Sequence, residues 1–196
     1  MSRLFTALPI PLLASLRRVT LALRQADSRL RLESPERWHL TLNFLGEVAA
    51  ERVPDLIRLL REATREVESL TFNLQGLGAF PEIRRPRVLW VGTGGDDGLR
   101  ALQQSLQRAV QSAGLPASEG FVPHLTLARV RHPPNGGIAE LLTHHAETLF
   151  GNIRINEVFL YESNLHEPGQ PYRVRARFPL RIEADPGSRG AFRAEK

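Results

Sequence analysis

The chain of 196 residues contains no cysteine, a single lysine (Lys196) and a single methionine, and few aromatic residues. The lack of cysteine excludes disulfides, thiolate metal sites and a cysteine nucleophile. It fits a reducing compartment. No run approaches the roughly 18 apolar residues of a membrane-spanning helix, so no membrane association is expected. Met1–Pro11 lacks a long apolar run with a small-residue cleavage site, so no signal peptide is expected and the protein is assigned to the cytoplasm.

With lysine almost missing, positive charge rests on 25 arginines, and the net charge is +5. Arginine offers a planar fork of donors that suits phosphate. Genomic codon preference is the favoured account of the arginine excess itself, but the positive sign still favours an anionic partner. The length suits one domain, or one domain built from two similar lobes, with enough chain to bury a core without staples.

Arg3–Leu8 reads as a first strand, followed by a helix over Leu12–Gln25 and a polar loop containing Pro35. Trp38–Leu45 alternates strictly and reads as a strand, and Glu51–Val67 as an amphipathic helix. Strands are expected at Leu70–Leu77 and Val88–Gly92, joined by the Pro- and Arg-rich segment Pro81–Arg87. A helix is expected at Leu99–Ala113, stopped by Gly114 and Pro116, and a strand at Val122–Val130. Ile138–Leu149 reads as a helix, and Ile153–Tyr161 and Tyr172–Leu180 as strands. Residues 1–182 are read as one bilobal domain and 183–196, polar and charged, as a disordered tail.

The pattern runs roughly twice. His39-Leu40-Thr41-Leu42 recurs 85 residues later as His124-Leu125-Thr126-Leu127, in the same strand context. That period is too long for a solenoid and suits two lobes related by a pseudo-two-fold axis. Side chains alternate along a strand. His39 and Thr41 therefore share one face and Leu40 and Leu42 the other, and likewise in the second copy. If the lobes face each other, both His-Thr pairs meet in one cleft. A neutral imidazole can take a proton from water and a protonated one can deliver a proton to a leaving oxygen. Thr41 and Thr126 can donate to phosphate oxygens. This is the equipment for in-line opening of a cyclic phosphodiester, with no metal, cofactor or covalent intermediate required. A single His-x-Thr is weak evidence on its own; the duplication carries the weight.

On these motifs the chain resembles the RNA 2′,3′-cyclic phosphodiesterases, also called 2′-5′ RNA ligases, of the two-histidine phosphoesterase superfamily. Arg3–Leu8, Arg85–Gly92 and Tyr161–Leu165 add to the resemblance, which covers residues 3 to about 180. It implies an α+β fold of two pseudo-symmetric lobes, each an antiparallel sheet with helices on its outer face, around a central cleft. It implies His39 as proton donor to O3′, His124 as the base that activates water, and a 2′-phosphate product. The motif itself leaves the acid and base open. The resemblance also implies that Phe44 and Arg129, each five places after its histidine, flank the terminal nucleoside. Strict alternation puts an offset of five on the opposite face, so both reach the cleft only where the strand ends, twists or bulges; core packing is the alternative for Phe44.

The expected substrate is an RNA with a 2′,3′-cyclic phosphate end, such as a tRNA fragment, and the expected state is a monomer. Reversible 2′-5′ ligation of a 5′-OH end and nucleotide or RNA binding without turnover stand as alternatives. Arg173, Arg175 and Arg177 share one strand face, either an RNA track or a solvated edge. Arg84, Arg85 and Arg87 lie in a loop that could touch RNA. His132, His144, His145 and His166 have no matching motif, and adjacent His144 and His145 are expected to point different ways. Gly92-Thr93-Gly94-Gly95 lacks the ending of a phosphate loop and reads as a turn.

Overall fold

The alternating and helical spacings become, in chain order, β1 (Ser2–Pro9), α1 (Ala14–Ala26), β2 (Arg31–Leu32), β3 (His39–Val48), α2 (Val53–Thr64), β4 (Leu70–Phe80), β5 (Val88–Gly94), α3 (Asp97–Ser112), β6 (His124–Arg129), α4 (Gly137–His144), β7 (Leu149–Ile155), β8 (Glu157–Ser163) and β9 (Tyr172–Pro179). These come from a computed structural model that describes residues 1–94, 97–116, 120–134, 136–164 and 172–182. The expected tail 183–196, Gly95, Leu165 and His166 lie outside the described residues.

The fold is α+β, and its two lobes are halves of one sheet with the order β7-β4-β5-β6-β3-β1-β8-β9, every neighbouring pair antiparallel. One half is β3-β1-β8-β9 and the other β6-β5-β4-β7. They meet through a single pair, Leu40 opposite Leu125. Each of these leucines directly follows its histidine, so the pseudo-two-fold axis passes between them.

Helices cover one face. Leu16, Val19 and Leu23 of α1, Leu56 and Leu60 of α2, and Leu102 and Leu106 of α3 form one core with Leu40, Leu42, Leu125 and Leu127. Helices reach across the halves: α1 follows β1 yet packs with α4 and β7, while α3 follows β5 and packs with β4 of its own half and with α2 and β3 of the other. Burying apolar area across the halves ties them into one unit. α3 stops where Gly114 takes a positive φ of 65°, which favours glycine.

Several expectations shift. Leu12 precedes α1 and is exposed. Ile153–Tyr161 is two strands, broken at Asn156. Ile153 and Ile155 are buried at odd positions and Val158 and Leu160 at even ones, so the alternation changes parity there. β7 pairs with β4 and β8 with β1, far apart in the sheet order. A one-residue link between them requires the sheet to curl strongly. α4 ends at His144, because Leu149 already belongs to β7. Gly92, Thr93 and Gly94 complete β5 in place of the expected turn. The loop before β3 contains β2, whose two residues pair with Arg129 and Ala128 of β6. His144 and His145 hold their rings together, edge to face at 4.9 Å, since His145 has left the helix. None of the helices is long and apolar enough to cross a membrane among the described residues.

Candidate active site

The face opposite the helices holds a cleft of about 510 Å³. His39, Thr41, Phe44, His124, Thr126 and Arg129 all line it. Continuing the antiparallel register by one residue either side of Leu40–Leu125 sets His39 across from Thr126 and Thr41 across from His124. Each histidine thus faces the threonine of the other copy.

Bulges bring in the residues five places on. β3 slips against β1 at Leu42, leaving Thr41 opposite Ala7 and Asn43 opposite Thr6. β6 slips against β5 at the matching residue, Leu127, leaving Thr126 opposite Trp90 and Ala128 opposite Leu89. Each bulge buries two successive side chains, Leu42 with Asn43 and Leu127 with Ala128. It turns the next side chain back to the histidine face. Phe44 is 66% exposed, which rules out core packing for it. The antiparallel strands carry Phe44 and Arg129 away from the axis in opposite directions, although both line the same cleft.

The two imidazoles are held in the same way. Nδ1 of His39 lies 2.7 Å from the main-chain oxygen of Arg37, and Nδ1 of His124 lies 2.8 Å from that of Val122. A carbonyl only accepts, so each Nδ1 carries a hydrogen and donates it. Each Nε2 is left as the nitrogen that gains or loses a proton. Burial lowers the proton affinity of both rings below the ordinary histidine value. Arg129 pushes both further down, and the carbonyl bonds oppose the shift.

The surroundings differ. His39 stands in an aromatic box: Phe5 at 5.3 Å, Tyr172 edge-on at 5.2 Å and Tyr161 at 6.1 Å between ring centroids. Burial pushes the Tyr161 hydroxyl up to about 12, so this box stays uncharged at neutral pH. Glu33 also acts on His39, raising its proton affinity. His124 has Phe80 edge-on at 4.9 Å and Trp90 at 6.4 Å. Trp90 lies over Gly78 and Gly92, where a Cβ would come within 2.3 Å and 3.1 Å of the indole. Glu33 accepts from Nε of Arg129 at 3.1 Å, and its own main-chain N–H bonds to Leu127 at 2.8 Å. β2 and the residue after it thereby steady Arg129.

Glu33, Phe5, Tyr161, Tyr172, Phe80 and Trp90 carry no motif of their own. Phe5, Tyr161 and Trp90 fall in the strings that carried the resemblance; Glu33 has no signal in sequence, because only the β2–β6 pairing places it. Arg84, Arg85 and Arg87 are not among the lining residues. Arg175 pairs with Glu162 at 2.9 Å and Arg177 lies 4.9 Å over the Phe159 ring, so these two belong to the strand's own packing. Among the described residues no group of three or more His, Asp or Glu side chains is arranged to hold a metal ion.

A duplicated strand that presents two histidines and two threonines to one cleft places the protein among the two-histidine phosphoesterases. The family model described as LigT like Phosphoesterase matches residues 9–90 and 93–172, and the chain belongs to that family. An RNA 2′,3′-cyclic phosphodiesterase of Methanothermobacter thermautotrophicus is 32% identical over 79% of this chain and 85% of its own. One from Aeropyrum pernix is 35% identical over 71% of this chain and 80% of its own. Among solved structures, a Thermus thermophilus protein superposes with a TM-score of 0.70 at 30% identity, covering 93% of this chain and all of its own. Escherichia coli LigT complexed with 3′-AMP gives 0.67 at 29% identity, covering 91% and 98%.

Proposed function

We propose that the cleft hydrolyses RNA 2′,3′-cyclic phosphate ends to 2′-phosphate ends, without a metal. The carrying observation is that both imidazoles are fixed through Nδ1, either side of one leucine pair, with both threonines beside them. The names of the relatives and the 3′-AMP bound to the Escherichia coli protein support the substrate class.

In this reading Thr41 and Thr126 donate to the non-bridging phosphate oxygens. Nε2 of His124 takes a proton from water as its oxygen attacks phosphorus. The P–O3′ bond breaks in line, and the Nε2 hydrogen of His39 passes to O3′. The P–O2′ bond stays intact, giving the 2′-phosphate. Burial lowers the proton affinity of both rings, so the choice of His39 as donor follows the family resemblance. Phe44 and Arg129 receive the terminal nucleoside by stacking and by cation–π contact, which tolerates base identity.

The test is product analysis of an oligoribonucleotide ending in a 2′,3′-cyclic phosphate, incubated in EDTA. A 2′-phosphate end is expected. A 3′-phosphate end, or loss of turnover in EDTA that zinc or magnesium restores, would overturn the reading.

A further inference from the structure

A second pocket of about 790 Å³ lies behind the His39 side of the cleft and shares Arg37, His39 and Tyr172 with it. The remaining wall includes Trp38, Tyr161, Arg173 and Val174. Trp38 is only 3% exposed, so it backs the pocket from the core. Val174 and Leu12 offer exposed apolar surface at the same place. The carboxylate of Glu36, also here, takes a hydrogen bond from the Ser34 hydroxyl. Arg37 and Arg173 set two positive charges against that one negative charge.

Of the three alternating arginines of β9, Arg175 and Arg177 are held by Glu162 and Phe159, and Arg173 lines this pocket. Guanidinium, aromatic rings and apolar surface are together what a nucleotide needs: charge for its phosphate and a flat face for its base.

We propose that this pocket is the subsite for the nucleotide immediately 5′ of the cyclic phosphate end. Arg173 contacts the phosphodiester that joins it to the terminal nucleotide, and the rings of Tyr161 and Tyr172 take its base. The proposal rests on the RNA-end reading of the cleft. It makes the protein selective for oligonucleotide ends over free cyclic mononucleotides.

The experiment compares kcat/KM for a nucleoside 2′,3′-cyclic phosphate with that for the dinucleotide bearing the same end, in the unaltered protein, Arg173→Ala and Arg173→Glu. The dinucleotide is expected to be favoured by roughly 5- to 150-fold, the range set by stacking one base. Arg173→Ala should shrink that ratio and Arg173→Glu shrink it further. The dependence of log KM on log salt for the dinucleotide should flatten in Arg173→Ala by about 0.7, the value for one phosphate contact on a single strand. Equal efficiency on both substrates, or a ratio untouched by either variant, overturns the second subsite and leaves the cleft reading standing. No turnover of either substrate by the unaltered protein overturns the cleft reading and this subsite with it.

Discussion

The β3 half and the β6 half carry the same device in different settings. Each has a histidine locked to the carbonyl two residues before it, a leucine on the pseudo-axis, a threonine in the cleft and a bulge at the next leucine. The β3 copy stands in an aromatic box with a glutamate acting on it; the β6 copy has Phe80, Trp90 and a more open position. Duplication supplies geometry twice over. The unequal neighbourhoods are what can make one imidazole an acid and the other a base.

The largest effect should come from breaking each copy in turn. His39→Ala and His124→Ala should each lower kcat by about 10²- to 10⁴-fold, as removal of a general acid or base does. Their pH profiles should differ. An acid must be protonated, so its loss removes the alkaline limb, expected for His39→Ala. A base must be neutral, so its loss removes the acid limb, expected for His124→Ala. The opposite assignment of limbs would exchange the two roles.

Next in size is the axis itself. Leu40→Ala should lower unfolding stability by about 2–5 kcal/mol, the usual range for a fully buried leucine. Urea denaturation monitored by tryptophan fluorescence measures it, and Leu125→Ala should match it. A much smaller cost at one position would mean that the two halves do not share the core equally.

Thr41→Val and Thr126→Val test the phosphate contacts. Each removes one hydrogen bond to a charged group, about 1.5–3 kcal/mol, so kcat/KM should fall roughly 10- to 150-fold. Steady-state kinetics on a cyclic-phosphate dinucleotide would show it; an unchanged value at either threonine would remove that residue from the site.

The smallest effect sharpens the comparison. In NMR titration both imidazoles should show midpoints below the ordinary histidine value of about 6.5, because burial disfavours their charged forms. Inorganic phosphate should raise both, since an anion favours imidazolium. Glu33→Gln should lower the His39 midpoint and leave His124 nearly where it was. The same depression has a sign for stability. The unfolded chain takes up these protons at higher pH than the folded one, so stability is complete above about pH 6.5 and is lost as pH falls through the folded midpoints.

Much of this was legible in one dimension. The alternation in His39–Leu42 and His124–Leu127 assigns the histidines and threonines to one face and the leucines to the core, because side-chain period in a strand is a local property. Helix spacing gives α1, α2 and α3 for the same reason. Even the break at Asn156 leaves a local trace, the change of parity between Ile155 and Val158. By contrast, nothing local shows that Phe44 and Arg129 turn back to the cleft, because a bulge exists only relative to the neighbouring strand. The reach of α1 and α3 across the halves is equally invisible.

The sequence by itself determined the duplicated His-Leu-Thr-Leu strand, the face that its histidines and threonines share and the spacing of the main helices, since all of these follow from residue type and spacing. Tertiary structure alone decided that Leu40 and Leu125 meet on the axis, that Glu33 and Tyr172 stand on the His39 side, and that Arg173 lines a second pocket beside the cleft. Those depend on register between distant strands, and register is set by how the whole sheet packs on its helices.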